Sequence, residues 1–311
     1  MAGAPGAKGS PVSLPAQGST GDGAAVKQPG PAAAPLTVAQ ALSQALSAGL
    51  DRLDAQLLLS HHLQQPRTWL IAHDDAPLTR AVIQDFAAGC RRRAEGEPLA
   101  YLLGEREFYG LRLRVSPDVL VPRPDTETLV DWALNLLPDL RATAPRVLDL
   151  GTGSGAIALA VAHRHPAAQV TATDLSPAAL ELARSNAERL GLALDWACGA
   201  WWQALPAAAR FDLVLANPPY IAGDDPHLAA LRHEPLLALT PGGDGLSALQ
   251  QIIAGAPAHL TAGGWLLLEH GWDQAAPVAA ALRQAGFTQV TCRPDLAGQS
   301  RCSGGRRATQ V

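Results

Sequence analysis

Three patterns of hydrophobic and polar positions follow one another in the first 120 residues of this 311-residue chain. Residues 1–35 contain Ala, Gly, Pro and Ser with almost no large apolar side chain, which predicts a disordered tail because little surface can be buried. Residues 36–97 repeat apolar positions at helical spacing and predict a small N-terminal domain of several short helices. Residues 98–120 alternate and include Gly104 and Gly110, which predicts a hairpin linker.

From residue 121 to the C-terminus, short aliphatic runs alternate with helical stretches. The predicted strands are Arg146–Leu150, Gln169–Thr173, Phe211–Ala216 and Trp265–Glu269, and the predicted helices are Ala156–His165, Pro177–Leu190, Ser247–Leu260 and Gln274–Ala285. Strands this aliphatic suit a sheet that is covered on both faces. The alternation predicts an α/β domain with a doubly wound, mostly parallel, Rossmann-like sheet. Two final segments, Phe287–Arg293 and Gln299–Arg306, are expected to close it as an antiparallel pair.

Charge and cysteine content narrow the functional classes. The formal net charge is −4, whereas proteins that grip nucleic acid through phosphates usually carry an excess of Lys and Arg. The four cysteines are scattered without a Cys-x-x-Cys pair, so reduced thiols are expected and no metal site is predicted. No apolar run reaches the roughly 18–20 residues that span a bilayer. These features predict a cytoplasmic protein without direct nucleic-acid or membrane binding.

A glycine-rich turn is the first candidate site. Gly151, Thr152, Gly153, Ser154 and Gly155 follow a predicted strand and open a predicted helix. Glycines at alternate positions allow close approach of a ligand to the backbone, with helix N–H groups nearby. Their spacing is not the Gly-x-Gly-x-x-Gly of dinucleotide sites and better fits an adenosine that carries an amino-acid tail.

Two acids lie beside this turn. Asp174 ends the next predicted strand, where a doubly wound fold places an acid against ribose hydroxyls. The glycine turn and Asp174 together predict a site for S-adenosylmethionine. Asp149, just before the turn, either touches the sulfonium side of the cofactor or only shapes the turn.

An Asn-Pro-Pro-Tyr loop is the second candidate site. Asn217, Pro218, Pro219 and Tyr220 directly follow the strand Phe211–Ala216. The lone pair of an amide or aniline-like nitrogen is delocalised, so this nitrogen is a poor nucleophile. Its N–H groups can be accepted by the Asn217 side-chain carbonyl and the Pro218 backbone carbonyl, which aims the lone pair at a methyl group. Tyr220 offers an aromatic face to a planar substrate. The loop therefore predicts methyl transfer to nitrogen.

Three further segments make the pattern more specific. They are Leu120-Val121-Pro122-Arg123-Pro124-Asp125-Thr126-Glu127, Leu268-Glu269-His270-Gly271, and Asp295-Leu296-Ala297-Gly298 with the later Arg306-Arg307. With the two loops, they resemble the bacterial peptide chain release factor glutamine N5-methyltransferases, which are class I S-adenosylmethionine-dependent enzymes. The resemblance runs from about Thr37 to the C-terminus.

The resemblance implies specific roles. The substrate is expected to be the glutamine of the Gly-Gly-Gln motif in release factors, methylated on its amide nitrogen. Residues 36–97 are expected to recognise the release factor, and residues 121–311 to form the methyltransferase domain. Trp202 is similar to an aromatic residue that packs near the adenine, although Trp201 could take that place. Asn217 is expected to contact both cofactor and substrate.

Some alternatives stay open from the sequence. Arg123 and Glu127 either line the substrate entrance or form only a structural ion pair.

A glutamine methyltransferase of a ribosomal protein has the same chemistry, but the segment after Pro122-Arg123 favours release factors. An adenine-N6 DNA methyltransferase shares the Pro-Pro-Tyr loop, yet the acidic balance opposes it. A non-catalytic nucleotide-binding scaffold has no need for Asn217-Pro218-Pro219-Tyr220, and a dehydrogenase requires a different glycine spacing.

Overall fold

A computed structural model describes residues 36–140 and 142–309, together with Ser13. The predicted tail, Ser13 apart, lies outside the described residues. The N-terminal part is helical, with α1 Val38–Ser47, α2 Arg52–Leu63, α3 Arg67–Ala72, α4 Arg80–Ala94 and α5 Leu99–Leu103.

Side-chain caps explain where these helices begin. Thr37 and Gln40 form a reciprocal capping box at α1. Asp51 caps α2 and Thr79 caps α4, each by accepting a backbone N–H. The apolar faces of α1, α2 and α4 enclose a small core that includes Val38, Leu58 and Phe86.

A two-stranded antiparallel hairpin follows, formed by β1 Glu105–Phe108 and β2 Leu111–Arg114. Leu111 and Leu113 are buried, whereas the intervening Arg112 is exposed. This alternation places one face of the hairpin against the core of the α/β domain.

The α/β domain contains the remaining elements. Its helices are α6 Glu127–Leu136, α7 Ala156–Arg164, α8 Pro177–Leu190, α9 Leu236–Leu239, α10 Ser247–His259 and α11 Ala275–Gln284. Its strands are β3 Arg146–Leu150, β4 Gln169–Asp174, β5 Asp195–Cys198, β6 Phe211–Ala216, β7 Leu260–Glu269, β8 Phe287–Pro294 and β9 Ser300–Arg307. Short 3₁₀ turns lie at Pro124–Thr126, Leu137–Asp139, Trp201–Ala204 and Pro226–Leu231.

The sheet has the order β5-β4-β3-β6-β7-β9-β8. Strands β5, β4, β3, β6 and β7 pair in parallel, whereas β9 is antiparallel to both β7 and β8. Strands β3, β6 and β7 are almost wholly buried because helices cover both faces of the sheet. The predicted fold class, including the antiparallel closing strand, is confirmed.

Small residues in β9 accommodate a large neighbour. A Cβ built on Gly304 would lie 2.8 Å from Cη2 of Trp132 and 2.5 Å from Cδ2 of Leu267. The indole of Trp132, on α6, is fully buried against this strand. Strand β9 therefore has small residues where its neighbours have aliphatic side chains, because the indole of Trp132 fills the space against it.

Two remaining observations concern the whole described chain. Within residues 36–140 and 142–309, no helix is both long and apolar enough to span a membrane. Cys90, Cys198, Cys292 and Cys302 are free thiols.

Candidate functional site

The candidate site lies where the winding of the sheet reverses. From β3 the chain proceeds to β4 and β5 on one side, and then to β6 and β7 on the other. Ligands of open α/β sheets bind at the carboxyl ends of strands at such a point. The glycine turn follows β3 and the Asn-Pro-Pro-Tyr loop follows the adjacent β6, so their sequence positions bring both to one edge.

A cavity of about 370 Å³ occupies this edge. Its size falls in the range of roughly 300–1,000 Å³ that is typical of small-molecule sites. One side of the cavity is lined by the glycine turn and the acid after β4, namely Gly151, Thr152, Gly153, Ser154 and Asp174. The other side is lined by Arg123, Thr126, Asn217 and Pro219. One cavity therefore joins the two loops that the sequence singled out.

Backbone conformation explains the glycines of the turn. Gly151, Gly153 and Gly155 have φ values of 74°, 56° and 86°, in the left-handed region that favours glycine. A Cβ on Gly151 would lie 3.2 Å from Cζ3 of Trp201, and one on Gly155 would lie 2.9 Å from Cδ1 of Leu159. Side chains at these positions would crowd the cavity wall and separate α7 from the turn.

Asp174 connects the end of β4 to the glycine turn. Its Oδ2 accepts from the Gly153 N–H at 2.8 Å, and its Oδ1 accepts from the Ser176 N–H at 2.8 Å. Burial raises the pKa of the Asp174 carboxyl, and these backbone hydrogen bonds oppose the rise. The carboxylate keeps unused lone pairs at the cavity and can accept hydroxyl groups there.

Asp149 has a different position from Asp174. It is fully buried, and its Oδ2 accepts from the Thr152 hydroxyl at 2.7 Å and the Ala158 N–H at 3.2 Å. It does not line the cavity. Of the two roles left open by the sequence, the geometry supports shaping of the turn.

The structure places Trp201, and not Trp202, at the cavity. The Trp202 indole instead stacks on His259, and its N–H donates to the Ile252 carbonyl at 3.1 Å. Of the two tryptophans that the sequence left open for the adenine, the structure therefore favours Trp201. Trp201 and Trp202 both lie in a 3₁₀ turn, where consecutive side chains point in different directions, so only one of the two can face the cavity.

Asn217 is held from outside the loop. Its Nδ2 donates to the Thr126 hydroxyl at 3.2 Å, which leaves Oδ1 available to the cavity. Pro218 is buried, and Pro219 lines the cavity. Tyr220 does not line it, because its hydroxyl donates to Glu269 Oε1 at 3.2 Å.

A buried polar network behind the loop was not assigned from the sequence. Glu269 ends β7 and His270 follows it, and both are almost completely buried. Burial raises the pKa of Glu269 to about 7, against the opposing effects of Thr126, Arg301 and Tyr220. Arg301 also pairs with Asp295 at 3.2 Å. The resemblance marked these segments, but only the structure shows that they converge on Tyr220.

Arg123 and Glu127 do not pair with each other. Arg123 is ion-paired with Glu234, whose carboxyl also accepts from the Val121 N–H at 3.0 Å. Glu127 instead accepts from the Tyr109 N–H at 3.0 Å. Because Arg123 lines the cavity, this ion pair holds the segment around Glu234 at the edge of the cavity. The sequence does not predict the contact between Arg123 and Glu234, because the two residues lie 111 positions apart.

The fold and the site define this protein as a class I methyltransferase. Residues 37–104 match the family model described as the PrmC N-terminal domain, and residues 128–291 match that of the methyltransferase small domain. The "Release factor glutamine methyltransferase" of Bordetella pertussis is 54% identical over 259 residues, covering 83% of this chain and 95% of the relative. The protein of the same name from Xylella fastidiosa is 51% identical over 269 residues, covering 86% and 97%. This chain belongs to the release factor glutamine methyltransferase family.

A structural comparison extends the fold to more distant proteins. The hMettl16 catalytic domain, solved in complex with MAT2A 3'UTR hairpin 1, has a TM-score of 0.52 and 17% sequence identity. The match covers 73% of this chain and 80% of that one. At this identity the likeness concerns the fold alone.

Proposed function

We propose that this protein transfers a methyl group from S-adenosylmethionine to the side-chain amide nitrogen of the glutamine in the Gly-Gly-Gln motif of release factors. The observation that carries the proposal is that the glycine turn and Asn217 line one cavity, with the Asn217 amide group held by Thr126. Family membership supports the choice of substrate.

The residues at the glycine turn fit the cofactor. The left-handed glycines leave room for the amino-acid tail close to the backbone, and the N-terminus of α7 lies beside them. Asp174 would accept the ribose hydroxyls, and Trp201 offers an apolar face for the adenine. When bound, the sulfonium group supplies an electrophilic methyl.

The loop after β6 would hold the nucleophile. Asn217 Oδ1 and the Pro218 carbonyl would accept the two N–H groups of the substrate amide, which reduces delocalisation of its lone pair and directs it toward the methyl group. Pro218 and Pro219 fix φ, so the two acceptors keep their spacing. Tyr220 would support the loop through Glu269 rather than stack freely on the substrate.

The bonds that change are few. The C–N bond forms as the C–S bond breaks, and the nitrogen then loses one proton to solvent. The chain offers hydrogen-bond acceptors that stabilise the developing positive charge on nitrogen, so positioning and electrostatics carry the rate.

The helices α1–α5 would contact the body of the release factor, as the family resemblance implies. No membrane contact and no direct nucleic-acid contact form part of the proposal, and the expected place of action is the cytoplasm. The main rival substrates are a ribosomal-protein glutamine and the adenine of DNA, which present similar planar nitrogens.

Mass spectrometry of purified release factor after incubation with this protein and S-adenosylmethionine tests the proposal. One added methyl on the Gly-Gly-Gln glutamine is expected. Asn217→Ala should lower the rate roughly 100-fold or more, as expected when a positioned polar group is lost from an active site. Asn135→Ala, at an exposed asparagine of α6, is the matched control and should retain the wild-type rate.

Two outcomes would contradict the proposal. Transfer to a ribosomal protein or DNA, with unmodified release factor, would retain the chemistry and reject the substrate. A fully active Asn217→Ala variant would reject the role assigned to the loop.

A further inference from the structure

Two large apolar side chains are exposed to water at the carboxyl edge of the sheet, outside the cavity. Trp272 is 65% exposed in the turn after β7, and Leu296 is fully exposed in the turn between β8 and β9. Because β9 is antiparallel to both β7 and β8, the β8–β9 turn lies at the carboxyl end of β7. Strand β6 is parallel to β7, so both turns lie at the edge that carries the Asn-Pro-Pro-Tyr loop.

The turn that carries Trp272 is hydrogen-bonded to that loop. The Gln274 backbone N–H donates to the Gly271 carbonyl at 2.9 Å and closes the turn around Trp272. The buried Gln274 side chain accepts from the Gly271 N–H through Oε1, and its Nε2 donates to the Tyr220 carbonyl, each at 2.9 Å. Trp272 therefore keeps a fixed place relative to the reacting loop.

The turn that carries Leu296 is also held by its own hydrogen bonds. Oδ1 of Asp295 accepts from the Ala297 and Gln299 N–H groups at 2.9 Å each. The Asp295 N–H donates to the Gln299 carbonyl at 2.8 Å, and Gly298 takes a φ of 80° between them. Because the backbone of this turn is ordered before any partner arrives, covering Leu296 costs little further conformational entropy.

Arg301 connects the two turns to the mouth of the cavity. Its backbone carbonyl accepts from the His270 N–H at 2.9 Å, just before the first turn. Its guanidinium lies 3.2 Å from Oδ2 of Asp295 in the second turn and 3.4 Å from Oδ2 of Asp125. Asp125 precedes Thr126, which lines the cavity. The exposed apolar residues therefore continue the surface of the site on its β7 side.

We propose that Trp272 and Leu296 form a docking surface, the apolar rim, for the part of the release factor that flanks the methylated glutamine. The identity of this partner rests on the proposed function. A single glutamine side chain fills the reacting end of the cavity, so contacts that distinguish one protein from another must form outside it. The rim is continuous with the reacting loop, and its occupant is therefore the chain that carries the glutamine.

The chemistry of the rim favours a protein segment with apolar side chains. Aromatic residues are enriched at protein interfaces, where a few of them carry most of the binding energy. A nucleic acid would instead require cations for its phosphates. The cation beside the rim, Arg301, is already paired with two acids.

Titration calorimetry with a release factor whose Gly-Gly-Gln glutamine is replaced by alanine tests docking apart from chemistry. This protein cannot be methylated, so its Kd can be measured with S-adenosylmethionine present. Trp272→Ala and Leu296→Ala should each raise the Kd roughly tenfold or more, the effect of losing the burial of one large apolar side chain. Trp272→Phe and Leu296→Met should recover most of the affinity.

Two controls separate docking from folding and from cofactor binding. Both side chains are exposed, so the unfolding free energy in urea should stay at the wild-type value in all four variants. Neither residue lines the cavity, so the Kd for S-adenosylmethionine should not change. With unmodified release factor, the alanine variants should raise KM roughly tenfold at an unchanged kcat.

Several results would overturn the inference. Wild-type affinity in both alanine variants would do so, as would a fall in kcat at an unchanged KM. A wild-type dimer that Trp272→Ala converts to a monomer would show that a second copy of this chain covers the rim. A wild-type protein that does not bind release factor overturns the inference and the proposed function together. One that binds release factor without methylating it rejects the proposed function alone, while calorimetry still decides the role of the rim.

Discussion

The indole ring of Trp202 lies flat on the imidazole of His259, with ring centroids 4.9 Å apart and ring planes within 5°. Its N–H donates to the carbonyls of Gln251 and Ile252 on α10. This anchoring leaves Trp201 with a φ of 45°, which is uncommon for a bulky residue, and with its ring at the cavity beside Gly151. Trp202 therefore affects the shape of the cavity through the position of its neighbour.

Gly255→Ala should displace this anchor. A Cβ on Gly255 would lie 2.2 Å from Trp202 Cδ1, so the indole must move away from α10. We expect weaker binding of S-adenosylmethionine, measured by titration calorimetry, and an altered tryptophan emission spectrum. The unfolding free energy should fall by about 1–3 kcal/mol, the usual cost of overpacking a core.

Gly89→Ala provides the matched control, since Gly89 also lies inside a helix but a Cβ there would meet Leu58 Cδ2 at an ordinary 3.5 Å. This variant should be neutral or more stable by about 0.4–1 kcal/mol, because alanine restricts the unfolded chain. Equal cofactor affinities in the two variants would show that Trp202 does not position Trp201.

The Arg123–Glu234 ion pair should contribute strongly to stability. The Glu234 side chain is 2% exposed, so removal of Arg123 leaves a buried carboxyl whose remaining partner, among the residues that the structure describes, is the Val121 N–H. We expect Arg123→Ala to lower the unfolding free energy, measured by urea denaturation, by about 3 kcal/mol.

An exposed pair provides the comparison for this measurement. Arg112 lies 3.3 Å from Glu105, and the two side chains are 78% and 41% exposed. Arg112→Ala should therefore cost less than about 1 kcal/mol. A similar cost for both substitutions would mean that the segment around Glu234 is not fastened through Arg123.

The sequence supports prediction of the sheet because its signals are local. Strands β3, β4 and β6 are short segments that contain aliphatic residues, and their observed bounds differ from the predicted bounds by at most one residue. The two loops follow the ends of β3 and β6, so the rule for parallel sheets brings them together without knowledge of any side-chain contact.

Other elements could not be predicted because their causes are distant in sequence. Strand β5, Asp195–Cys198, is short and partly exposed, and it forms through its pairing with β4. The Arg123–Glu234 contact and the Thr126–Asn217 contact each join segments about 100 residues apart. Their partners are fixed by the fold, so residue type and spacing carry no information about them.

The stability of the cofactor-free protein should depend on pH because of Asp149. Burial raises the pKa of this carboxyl to about 7 from a usual value of 3.8, so the folded state holds the proton more tightly than the unfolded chain does. The resulting stabilisation is complete below pH 3.8 and is lost as the pH rises through about 7. We expect the unfolding free energy to fall by about 1 kcal/mol between pH 6 and pH 8 from this group.

The pKa of Glu269 is also raised to about 7, so this second acid lowers the unfolding free energy over the same pH range. Substitution of Asp149 separates the two contributions. In urea denaturation across this pH range, Asp149→Asn should show a smaller decline than the wild type. Asp139→Asn, at an exposed acid, should retain the wild-type decline. If the unfolding free energy changes with pH by the same amount in all three proteins, then Asp149 is not the group that releases a proton in this range.

Asp174→Asn should weaken cofactor binding more than it affects folding. Both carboxylate oxygens of Asp174 accept backbone N–H groups, from Gly153 and Ser176 at 2.8 Å each. An asparagine must turn its NH₂ group toward one of these donors, which loosens the turn, and it also loses the charge that would receive the ribose hydroxyls. Because hydrogen bonds to charged groups contribute about 1.5–3 kcal/mol, the Kd for S-adenosylmethionine should rise roughly tenfold or more in titration calorimetry.

Asp195→Asn, at the exposed start of neighbouring β5, should bind like the wild type. If Asp174→Asn binds S-adenosylmethionine with wild-type affinity while Gly255→Ala does not, the cofactor is held mainly through Trp201, and the acid serves only to shape the turn.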